Sequence, residues 1–183
     1  QPTVRAMKAK LPPDVNVVYI PAPFGGSWDN YAKAYYAAEA MGLLDKTHDA
    51  MFRAIHIDRS LKGMAGNDTP EQIAAFYAAY GADPGQFSSS MQSFAVATKL
   101  NHARQYINGA FANGDNPSTP SFLVNGRYRV KNQNQEQMFR TLNQLIVAER
   151  ARKAAGAPAA PAAGAPATTP ATDPAAAAPP AQS

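Results

Sequence analysis

The chain of 183 residues contains no cysteine. It forms no disulfide of its own and offers no thiolate to a metal, although this leaves its compartment open. Long apolar runs are missing as well: nothing approaches the roughly 20 residues that a membrane-spanning helix needs. From 154 to 183 the absences multiply. The stretch AAGAPAAPAAGAPATTPATDPAAAAPPAQS holds no aromatic, no branched aliphatic and one charged residue, Asp173. It cannot bury enough apolar surface to offset the entropy of ordering it, so a disordered tail is expected, stiffened by its prolines. No signal peptide is visible and the first residue is Gln, so the chain is expected to be processed or cut from something longer.

Several catalytic patterns are absent too. His48 and His56 are two helical turns apart, too far to chelate one ion, and His102 is remote in sequence from both. There is no His-Glu-x-x-His and no Gly-x-Ser-x-Gly, and the loop containing Gly25 and Gly26 lacks the rest of a phosphate-binding pattern. No metal and no cofactor is expected. The formal charge is +4, and the basic residues cluster at Arg127, Arg129 and Lys131 and at Arg150, Arg152 and Lys153. Neither cluster is interleaved with exposed aromatics in a recognisable nucleic-acid-binding module. The first alternates along a strand and the second closes a helix, where cations meet the macrodipole favourably. A solvated surface is the reading, with no nucleic-acid partner.

What is present is a helix-rich pattern followed by a change of period. Val4, Met7 and Leu11 recur at helical spacing until Pro12 and Pro13 end the run. Residues 15–20, VNVVYI, suit a strand buried on both faces. Helices are expected over 29–41, stopped by Gly42, and over 45–57. Thr69, Pro70 and Gln72 form a capping box, with Gly81 after the last turn, and Asp83-Pro84 repeats the cap for a short helix. A longer helix is expected over 93–111. Then SFLV-NG-RYRV reads as a hairpin, because Asn-Gly favours positive φ at both turn positions of a type I′ loop. An amphipathic helix over 135–153 follows, with Met138, Leu142, Leu145 and Ile146 inward. A strand, a helical block, a hairpin and a helix imply one mixed sheet with helices packed on it.

The stretches KLPPDVNVVYIPAPFGG, YYAAEAMGLLDKTHDAMFRAIH and STPSFLVNGRYRV, with the closing helix, resemble in family order the DsbA-type thiol:disulfide oxidoreductases. These are a branch of the thioredoxin superfamily with a helical insertion. The resemblance implies an α/β, thioredoxin-like domain over 1–153, with the insertion at about 28–112, the N-terminal part of the sheet missing, and the tail over 154–183 outside it. It makes Pro120 the cis-proline opposite the redox centre. It makes Thr119 the residue whose backbone pairs with extended substrate, with Ser118 beside it. The family's Cys-x-x-Cys opens the helix whose second half resembles residues 1–11, so both that motif and the strand before it are expected upstream of Gln1. No other side chain replaces a sulfur that forms and breaks a disulfide, so the chain as written is expected to be inactive. The implied partners are unfolded or reduced exported polypeptides and a membrane quinone-linked reoxidising partner, in the periplasm. The alternative is a cysteine-free module of the same fold that holds extended peptides without redox chemistry.

Overall fold

Short polar side chains set where most of the helices begin. In the computed structural model, which describes residues 2–112, 116–131 and 134–156, the Thr69 hydroxyl accepts from Gln72 N while the Gln72 side chain accepts from Thr69 N. This reciprocal box opens α4 (Pro70–Ala78). Asp83 caps α5 (Pro84–Met91) and Ser93 caps α6 (Phe94–Ala110) by the same side-chain-to-N3 bond. Before them come α1 (Pro2–Lys8), α2 (Ser27–Ala40) and α3 (Leu44–His56). Gly42, at φ 67, turns the chain between α2 and α3 in a conformation that costs a glycine little. The expected boundaries of these helices hold to within a few residues.

Helices α2 to α6 build one core. Tyr36, Ile73, Phe87 and Met91 are essentially buried, and alanines 32, 34, 37, 38 and 74 let the backbones approach closely. The Tyr77 and Phe87 rings stack at 4.0 Å, tying α4 to α5. Ile73, Phe87 and Met91 each contribute about 1.5–3 kcal/mol by leaving water. Asp68, 4% exposed, anchors the loop before α4. Its Oδ2 accepts from Lys62 N at 2.8 Å, Gly63 N at 2.9 Å and the Tyr31 hydroxyl at 2.6 Å.

A second cluster lies around the hairpin. Strands β1 (Phe122–Val124) and β2 (Tyr128–Val130) pair antiparallel, Phe122 opposite Val130 and Val124 opposite Tyr128. Helix α7 (Gln135–Ala154), capped by Asn134, covers one face through Leu142 and Ile146, which pack with Val124 and Val130. Met7, Leu11 and Val15 join this cluster from the N-terminal segment.

Two expectations need correction. Residues 15–20 do not form a strand: among the described residues the sheet consists of β1 and β2 alone. An apolar run becomes a strand only when a neighbour takes up its backbone groups, and no described segment lies in that position. Instead Val18 is 55% exposed and the Tyr19 carbonyl accepts from the Tyr35 hydroxyl at 3.3 Å. The hairpin loop is also one residue longer than the two-residue form. Asn125 and Gly126 do carry φ of 49° and 66°, and Arg127 N donates to Val124 O at 3.0 Å. Yet Val124 pairs with Tyr128, which leaves Arg127 in the loop as well. Of the tail expected over 154–183, Ala154 ends α7, and residues from 157 onward lie outside the described residues.

Candidate functional site

The segment leading into β1 carries the three residues singled out in the sequence. The Thr119-Pro120 peptide bond is cis. Thr119 and Pro120 are exposed and Ser118 is half-buried. The Ser118 carbonyl accepts from the Ser121 hydroxyl at 2.5 Å, a bond that folds the backbone back at the mouth of the strand. Among the described residues the backbone N–H and C=O of Thr119 have no protein partner. An exposed, unpaired peptide group beside a strand end is the element an extended chain needs for main-chain pairing.

Two contacts fix the hairpin that carries this segment. The Arg129 guanidinium lies 4.2 Å from the centre of the Phe111 ring at the end of α6, a cation–π contact across the sheet face opposite α7. At the turn, the Asn125 carboxamide donates to Glu149 Oε2 at 2.8 Å. Glu149 is 3% exposed and accepts from Arg152 Nε and Nη2 at 2.9 and 3.1 Å. The Arg152 bonds and the Asn125 bond hold the Glu149 carboxyl below the usual glutamate range. Sequence reasoning placed neither Glu149 nor Asn125 in this role.

Two of the three histidines pack against aromatic rings. The His48 ring lies 4.8 Å from Tyr19, 5.9 Å from Tyr35 and 5.3 Å from Phe52, and burial lowers its pKa. His56 stacks on Phe52 at 5.8 Å, while His102 is exposed on α6. A cleft of about 290 Å³ lined by Gly26, Ser27, Asn30, Asn67, Asp68, Thr69 and Pro70 lies within the helical block and includes none of Ser118, Thr119 or Pro120. No described helix is long and apolar enough to cross a membrane.

A helical block inserted ahead of a hairpin and a closing helix is the arrangement of thioredoxin-like proteins with a helical insertion, and solved structures of that class superpose on the chain. The oxidoreductase DsbA from Xylella fastidiosa matches with a TM-score of 0.75 at 35% identity, over 82% of this chain and 77% of that one. Pseudomonas aeruginosa DsbA matches with a TM-score of 0.69 at 32% identity, over 84% and 77%. Among curated relatives, the thiol:disulfide interchange protein DsbA of Pseudomonas syringae pv. tomato is 33% identical over 154 residues, 82% of this chain and 68% of that protein. The protein of the same name from Pseudomonas aeruginosa is 36% identical over 129 residues, 70% of this chain. The chain belongs to the DsbA family. It spans 57% of the length of the Pseudomonas aeruginosa relative. No family model matches it.

Proposed function

We propose that the chain is the helical and hairpin portion of a periplasmic thiol:disulfide oxidoreductase that promotes disulfide formation in exported polypeptides. Substrate lies extended along Ser118, Thr119 and Pro120, paired through the Thr119 backbone. The observation that carries this reading is the open peptide group of Thr119 at the mouth of β1 in a chain of the DsbA family. Main-chain pairing demands little of substrate sequence, which suits an enzyme acting on many unfolded polypeptides.

The redox step needs a Cys-x-x-Cys at a helix N-terminus, where the dipole stabilises the thiolate and makes it a good leaving group. This sequence has no cysteine, so the 183 residues alone do not exchange disulfides; the motif comes from residues that this sequence does not contain. A membrane quinone-linked partner restores the oxidised form. The absence of cysteine also favours a second reading, a non-redox module that holds extended peptides at Pro120. Intact mass and thiol titration of the protein from its native source separate the two. A heavier species with two redox-active thiols that oxidises a reduced peptide supports the enzyme. A thiol-free protein that still binds unfolded peptide supports the module.

A further inference from the structure

One buried carboxylate ties the hairpin turn to α7, and its partner at the turn is chemically labile. Asn125 and Gly126 are both exposed at positive φ. Glycine has no Cβ to shield its own nitrogen, and nothing lies within 4 Å of where one would stand on Gly126. Among the described residues the Gly126 N–H has no acceptor. The Asn125 side chain points back along α7 to Glu149.

We propose that Asn125 is a site of spontaneous deamidation that severs the hairpin turn from α7. The Gly126 nitrogen bonds to the Asn125 side-chain carbonyl carbon. The bond from that carbon to Nδ2 breaks, and Nδ2 leaves as ammonia with the proton from Gly126. Water then opens the five-membered imide at either carbonyl, giving aspartate or isoaspartate. In sum, asparagine and water become an acid and ammonia, with nothing oxidised or reduced.

The product replaces a donor with a carboxylate facing the buried Glu149 carboxylate. The bond is lost and two like charges are brought together. Asp-Gly suits a positive-φ turn as well as Asn-Gly does, so the damage falls on the tie to α7 and not on the turn. Isoaspartate also lengthens the backbone between β1 and β2. Asn108 precedes Gly109 in the last turns of α6, where the helical backbone keeps the nitrogen from swinging onto the side chain. It serves as an internal reference. This inference does not depend on what binds at Pro120.

The test is to age the full 183-residue chain at mildly alkaline pH beside a synthetic peptide of residues 120–131, and to map one-dalton gains by mass spectrometry. Conversion at Asn125 is expected to run at least about tenfold faster than at Asn108, since Asn125 and Gly126 lie in an exposed turn while Asn108 and Gly109 are held within α6. Aged chain and Asn125→Asp are both expected to exchange amide hydrogens faster over 122–130 than fresh chain. Asn125 staying intact while the peptide converts would overturn the proposal. So would unchanged exchange after conversion. Should Asn125→Asp not fold, the aged chain, which folded first, still decides.

Discussion

At the scale of single residues, two buried carboxylates do work that their sequence neighbourhoods barely announce. Asp68 sits in the polar stretch Asn67-Asp68-Thr69 ahead of α4. Yet it collects two backbone N–H donors and the Tyr31 hydroxyl on one oxygen, and burial with this bond raises the Tyr31 pKa. Removing the acceptor leaves Lys62 N and the Tyr31 hydroxyl without it, and Gly63 N with only its longer bond to the Tyr31 oxygen at 3.3 Å. Asp68→Ala is therefore expected to cost about 3 kcal/mol in urea unfolding, while Asp68→Asn, which keeps an oxygen in place, costs about half of that. Equal losses for the two variants would mean that packing, not acceptance, is what Asp68 supplies. Glu149 had a signal that went unused. It falls three residues after Ile146 and seven after Leu142, on the inward stripe of α7, where a charge must be paired to be tolerated.

At the scale of elements, the local chemistry was legible and the pairing was not. Thr69 with Gln72, and Asp83, cap the helices they were expected to cap, because a cap is settled by a few neighbouring residues; Ser93, expected as the first residue of its helix, is the cap of α6. Asn125 and Gly126 take the turn conformation their types favour, but the register of the strands, set across the ladder, leaves a third residue in the loop. Residues 15–20 failed as a strand for the same reason: an apolar run states that it is buried, not what lies beside it. The pairing of α7 with the hairpin turn through Glu149 has a pH signature. The folded carboxyl titrates below the ordinary 4.5 of a glutamate. A group so depressed contributes stability in full above its unfolded pKa and loses it as pH falls through the folded value. The stability difference between the natural chain and Glu149→Gln is expected to be greatest near neutrality and to shrink below about pH 4.5. A difference that grows on acidification would contradict the assignment.

At the scale of the whole molecule, the chain has two cores of unequal size. The helical block gathers its buried residues from Ala32 to Ala103, and the hairpin cluster rests on Val124, Val130, Leu142 and Ile146. Stability follows buried apolar contact, so amides of α2 and α6 are expected to exchange with solvent more slowly than those of β1 and β2. Hydrogen exchange followed by mass spectrometry reads this order, and slower exchange in the strands would reverse the account of what holds the chain together. The family itself was legible in residues 10–26, 35–56 and 118–130, and relatives and solved structures agree with it.

The central claim is that extended polypeptide pairs with the backbone at Thr119. It is tested most directly by titrating the isotopically labelled chain with an unfolded, cysteine-free peptide and following its amide resonances. The account predicts saturable shifts centred on the amides of Thr119, Ser121 and Phe122, diminished in Thr119→Pro, which lacks the pairing N–H. Shifts confined to the cleft lined by Asn30, Asn67 and Thr69, or saturable binding that leaves residues 118–122 unmoved, would contradict it.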